Sequence, residues 1–158
     1  MSKLSHTDAD GAPRMIDVGG KPETDRFARA EAFLCVAPAT LTAIREGRGP
    51  KGDVLQVARL AALQAPKRTP ELVPLCHPLR LSGVEVELEL LPPDRIRVHA
   101  TVRAIERTGV EMEALTAALV GALTLYDMVK AIDRGATITD ARVLEKHGGK
   151  TGTWRREG

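Results

Sequence analysis

Two short stretches of this 158-residue chain set reactive side chains close together. Leu75-Cys76-His77-Pro78 places a thiol beside an imidazole in a loop stiffened by Pro74 and Pro78. The imidazole could carry protons or bind phosphate, or His77 could be a structural or solvated residue. A zinc site needs three or four ligands, usually from spaced pairs, and none is encoded here. Adjacent residues also rarely face each other as a nucleophile and its base must. The second stretch is Leu125-Tyr126-Asp127-Met128-Val129-Lys130, where a carboxylate interrupts an apolar stripe and an ammonium follows three residues on. A buried ion pair would account for it; so would a catalytic carboxylate tuned by that ammonium.

Gly47-Arg48-Gly49-Pro50-Lys51-Gly52 spells a G-x-G-x-x-G, but it follows a helical pattern and not a buried strand, and Pro50 lies inside the turn. The dinucleotide reading is therefore set aside. A Walker A loop fails as well, because Asp53 follows Gly52. What remains is Lys51 just ahead of a helix N-terminus, a setting that suits an anion or simply a solvated turn. Glu111 and Glu113 open a long helical segment, where acidic residues commonly serve the cap and the dipole. Residues 113 and 127 lie 14 apart, about 21 Å on a straight helix. If both ends act on one small substrate, the simplest site is one built between two chains.

The elements that must position these residues follow from pattern. Residues 1–28 read as an irregular arm, mobile unless held, ahead of a single domain over 29–158. Arg29–Val36 reads as a strand, Ala39–Glu46 as a short helix opened by Pro38, and Val54–Gln64 as a helix capped by Asp53. Prolines 66, 70, 74 and 78 forbid a long element across that stretch. Val84–Leu90 and Ile96–Ala104 alternate apolar with charged residues and predict an antiparallel hairpin, Glu on one wet strand and Arg on its neighbour. A helix is expected from Val110 to about Ile132, with a Thr108–Glu111 capping box, Leu115, Leu119, Ala122, Leu123 and Tyr126 as its apolar stripe, and Gly135 as its stop. A last strand is expected near Ala136–Glu145. The order is β-α-β-β-α-β: an α+β, ferredoxin-like plan with a four-stranded antiparallel sheet and helices on one face.

Composition narrows the field. The chain carries 23 basic and 21 acidic residues, a net charge of +2, and only four aromatics, scattered at Phe27, Phe33, Tyr126 and Trp154. Neither a basic face nor a base-stacking platform is indicated, so no nucleic-acid partner is expected. No apolar run approaches about 18 residues, so no membrane span is expected. A polar start and two cysteines, Cys35 and Cys76, suit a reduced cytoplasm.

Four strings in order, MIDVGGK (15–21), GPKGDVLQVARLAALQAPKRTPELVPLCHPL (49–79), TGVEMEALTAALVGALTLYDMVKA (108–131) and LEKHGGKTG (144–152), resemble the cyclic pyranopterin monophosphate synthase (MoaC) family of molybdenum cofactor biosynthesis. The resemblance covers nearly the whole chain. It implies a ferredoxin-like protomer in a homohexamer, a trimer of dimers with active sites at the dimer interface. It also implies a lyase converting (8S)-3′,8-cyclo-7,8-dihydroguanosine 5′-triphosphate to cyclic pyranopterin monophosphate and diphosphate. By motif, catalytic roles fall on Asp127, Lys51 and Lys130. Substrate-contacting roles fall on Leu75, Cys76, His77, Met112, Glu113, Glu111, Lys67 and Lys146. No cofactor is implied beyond magnesium travelling with the triphosphate. Cations would hold the phosphates and stabilise diphosphate as it leaves, and Asp127, Lys130 and His77 would move protons. A lysine beside other cations would favour its neutral form and so shuttle protons. A ferredoxin-like binding module without catalysis is the main rival, and it would bind nucleic acid in a salt-dependent way.

Overall fold

The computed structural model describes residues 6–157. The alternating hairpin forms as the pattern predicts, somewhat longer at each end: β2 spans Leu81–Leu91 and β3 Arg95–Glu106. Val84, Val86 and Leu88 pair with Val102, Ala100 and Val98 on one face, while Glu89 lies opposite Arg97 on the other. A longer strand, β1 (Thr24–Cys35), pairs antiparallel with β3 on one side and with β4 (Thr137–His147) on the other. The two-residue β5 (Trp154–Arg155) adds to β4, so the order is β2-β3-β1-β4-β5. This corrects the expected four strands to five among the described residues. The first four keep the ferredoxin-like arrangement, and β5 is an edge extension built from the Gly-rich tail.

β1 starts five residues before the pattern suggested, at Thr24 and not Arg29, so the irregular arm ends at Glu23. Its alternation is weak in sequence because the core face is Ala28, Ala30 and Ala32 before it reaches Leu34, all fully buried. On its other face Glu31 is only 3% exposed. Its carboxylate accepts from Arg97 at 2.7 Å and from Arg142 at 2.8 Å, a pairing that keeps a buried charge satisfied.

The helices cover one face of the sheet: α1 (Pro38–Arg45), α2 (Val54–Gln64), the one-turn α3 (Thr69–Leu72) and α4 (Glu111–Val129). Asp53 caps α2 as expected, its carboxylate accepting the Gln56 N–H at 3.1 Å. The capping box at the start of α4 does not form. Its N-cap is Val110, without a side-chain cap, because the chain turns into the helix two residues after Thr108. The helix also ends at Val129, short of Ile132.

α4 is long and apolar enough by composition to cross a membrane, yet more than half of it is buried in this core. The face it turns to the sheet is made of small residues: Ala114, Ala117, Ala118, Gly121 and Ala122, with Leu125 and Val129 toward the end. A Cβ on Gly121 would lie 2.7 Å from the Val98 Cγ1, so glycine sets how closely the helix approaches. The expected stripe is corrected accordingly. Leu119 and Leu123 sit on the outer face, 41% and 57% exposed, because alanines already fill the space beneath.

Candidate active site

Where β1 begins, β3 and β4 end and α4 starts, two hollows join into one groove. The first, about 450 Å³, is walled by Ile16, Val18, Leu75, Leu79 and Met112, with Cys76, His77, Glu111 and Glu113 among its polar groups. The second, about 510 Å³, collects Lys21, Arg26, Arg107, Lys146 and Lys150 against the single carboxylate of Glu111. Lys21, Thr108, Gly109 and Glu111 line both and so mark the join.

Three of these cations are tied to backbone carbonyls. Arg26 donates from Nε to the Glu106 carbonyl at 3.1 Å and from Nη2 to the Arg107 carbonyl at 3.2 Å. Its guanidinium passes Gly149, where any Cβ would collide with it. Arg107 donates from Nη1 to the Gly19 carbonyl at 2.6 Å, which ties the arm to the groove. Lys146 Nζ contacts the Gly148 carbonyl and the Thr151 hydroxyl. Five positive side chains converging on one hollow suit a polyanion.

In the other hollow, Glu113 is 2% exposed. Burial, reinforced by the neighbouring Glu111 charge, pushes its carboxyl up to about 7, although its own backbone N–H partly offsets the rise. Near neutral pH it is poised to give or take a proton. Burial and the Glu113 charge also raise the Cys76 thiol, which favours a packed thiol over a nucleophilic thiolate. His77 Nε2 lies 2.7 Å from the Ile16 carbonyl.

The other end of α4 holds a second cluster. The Asp127 carboxylate meets Lys51 Nζ at 2.8 Å and Lys130 Nζ at 2.7 Å. Hydrogen bonds from Lys130 and then Lys51 pull its carboxyl down to about 2. The same contact raises the Lys130 ammonium, the reverse of a lysine made neutral by neighbouring cations. The sequence reading of a buried ion pair is corrected here: the Asp127 side chain is 51% exposed. Asp127 lies four residues past Leu123 on the same outer face.

The sequence profile of the MoaC family matches residues 15–149. The chain belongs to the MoaC family. It is similar to the cyclic pyranopterin monophosphate synthase of Thermomicrobium roseum, 54% identical over 158 residues that cover 99% of this chain and 95% of that protein. It is equally similar to the protein of the same name from Streptomyces coelicolor, 54% identical over 154 residues, 98% of this chain and 90% of the relative.

Within this MoaC-family chain the fold gathers the expected residues into two groups. Leu75, Cys76, His77, Met112, Glu113 and Glu111 line one hollow, and Lys146 lines the adjoining one. Lys51 and Lys130 both meet Asp127 at the far end of α4. Lys67 joins neither group: it is exposed on the 3-10 turn Ala65–Arg68 and lines neither hollow. Sequence reasoning did not assign Lys21, Arg26, Arg107 or Lys150. Lys21 and Lys150 stand inside or beside strings that carried the resemblance, MIDVGGK and KHGGK, and could have been found there. Arg26 and Arg107 had no such signal, since only the pairing of β1 with β3 brings them together.

Proposed function

We propose that this chain is a cyclic pyranopterin monophosphate synthase, a lyase that takes 3′,8-cyclo-7,8-dihydroguanosine 5′-triphosphate to cyclic pyranopterin monophosphate and diphosphate. The observation that carries the reading is the two-part groove. Its cationic hollow matches a triphosphate and a departing diphosphate. Its other hollow offers apolar walls for a flat heterocycle and, in Glu113 and His77, groups for the proton transfers that ring opening and closure require. Any magnesium travelling with the triphosphate would belong to the substrate, while Lys21, Arg26, Arg107, Lys146 and Lys150 would hold the phosphate oxygens.

The active site in this reading is shared between two copies. Within one chain Glu113 and Asp127 are 14 residues apart along α4, about 21 Å. The outer face of α4 carries Met112, Leu119, Leu123 and Asp127 in register, with Lys130 capping its end and the two exposed leucines near the midpoint between the two clusters. A two-fold axis at those leucines would lay two α4 helices antiparallel. Asp127, Lys51 and Lys130 of each copy would then approach the Glu113 end of the other. Pairs of this kind assemble further into a homohexamer. There the Lys51–Asp127–Lys130 cluster supplies a fixed charge array at the substrate, with Lys130 acting as an ammonium.

Incubating the protein with the cyclic nucleotide triphosphate tests the reading. Stoichiometric diphosphate and a pterin monophosphate should appear, and the Lys51→Ala variant should yield neither. Salt-dependent RNA binding without diphosphate release would favour the binding-module alternative.

A further inference from the structure

The arm does more than close one wall of the groove. A backbone carbonyl can only accept, so a 2.7 Å contact between His77 Nε2 and the Ile16 carbonyl requires Nε2 to be the protonated nitrogen. The segment that presents this carbonyl is itself fixed. Asp17 accepts the Gly19 N–H at 2.7 Å, the Lys21 N–H donates to Val18 at 3.0 Å, and Arg107 clamps the Gly19 carbonyl. Ile16 and Val18 face the same hollow as His77 and Glu113.

We infer that residue Ile16, through its main-chain carbonyl, is a positioning residue that locks His77 as the Nε2–H tautomer and leaves Nδ1 as the proton acceptor of the site. The inference deepens the synthase reading by assigning which nitrogen works, and the role of Nδ1 rests on that reading. A neutral imidazole free to change tautomer would present a lone pair at Nδ1 only part of the time. Held by Ile16, it presents one there throughout. Docking of the arm thus becomes a condition for correct proton transfer as well as for enclosure.

The tautomer is read directly from long-range proton–nitrogen correlation spectra of the full-length protein labelled with ¹⁵N-histidine at mildly alkaline pH, with His77 assigned by its loss in a variant. The expected pattern is a protonated Nε2 and an unprotonated Nδ1. The opposite tautomer, or signals averaged between the two, would overturn the proposal. A pair of substitutions separates the two nitrogens. His77→Gln keeps an N–H donor near the Nε2 position and removes the Nδ1 lone pair; His77→Asn loses the reach to Ile16. Hydrogen exchange at the Gly19 and Lys21 amides should stay near parental in His77→Gln and rise roughly tenfold in His77→Asn. Equal exchange in both variants contradicts the clamp. In turnover, His77→Gln should hold KM within about threefold while kcat falls about 100-fold, and a parental kcat would refute the role given to Nδ1. The spectra and the exchange rates need no substrate. A protein that shows the predicted tautomer but releases no diphosphate would leave the clamp standing and remove the synthase reading.

Discussion

The two ends of α4 carry the same functional group in opposite conditions. Glu113 lies in the first turn, where the helix dipole favours a carboxylate, yet its carboxyl is pushed up to about 7. Asp127 lies in the last turn, where the dipole disfavours an anion, yet its carboxyl is pulled down to about 2. The dipole loses at both ends. Burial without a cation outweighs it at Glu113, and two ammonium groups within 2.8 Å outweigh it at Asp127. One helix thereby holds a carboxyl group that can exchange protons at neutral pH and another that stays ionised, two roles a single site needs together.

The largest effect should come from the ionised end. Asp127→Ala or Lys51→Ala should lower kcat/KM by about a thousandfold or more in steady-state assays. The melting temperature should stay within about 2 °C of the parent, because exposed ion pairs contribute little to folding. A fall in melting temperature that tracks the lost activity would make the cluster structural and dissolve the contrast.

The buried end is next. Glu113→Gln should reduce kcat about 100-fold and erase an inflection near pH 7 from the pH–rate profile. Its effect on stability has a defined sign. The folded carboxyl titrates above its ordinary value of 4.5, so its favourable contribution is present below about 4.5 and is lost as pH rises through about 7. Denaturant titrations should therefore find Glu113→Gln more stable than the parent at pH 8, by about 2 kcal/mol, and close to it at pH 4. An unchanged pH profile would mean that Glu113 is not the poised group.

Gly109→Ala sharpens the comparison from the join between the hollows. A Cβ there would collide with the Glu111 carboxylate and drive it from its place. We expect roughly a tenfold loss in kcat/KM, partly restored when Glu111 is shortened to Asp in the double variant. The smallest effect belongs to Lys67→Ala. Exposed and outside both groups, it should leave kcat/KM within about threefold of the parent.

Much of this layout can be read in the sequence. The Glu and Arg alternation of the hairpin, the Asp53 cap and the helix carrying Glu113 and Asp127 all follow from local spacing. What escapes local pattern is whatever depends on how closely elements approach. The alanines of β1 and α4 looked like weak apolar signals, yet they are the contact surfaces. The bulky Leu119 and Leu123 looked like core and are exposed. Glu31 gave no hint of burial because its partners, Arg97 and Arg142, arrive from strands far along the chain. The site divides in the same way. Cys76-His77 and Asp127-Lys130 are visible as neighbours in sequence, whereas Lys51 meets Asp127, and Arg26 meets Arg107, only once the chain has folded. Because Lys51 and Asp127 touch within one chain, variants at those two positions cannot rescue each other by exchange of subunits.

A variant from each end of α4 can. Asp127→Ala and Glu113→Ala, each inactive alone, should be mixed in equal amounts under conditions that exchange subunits, and diphosphate release then measured. If each site takes one end from each of two copies, mixed pairs hold one intact site, and activity should recover to about a quarter of the parental value. No recovery despite demonstrated exchange, or full activity from an isolated monomer, would contradict a site shared between chains.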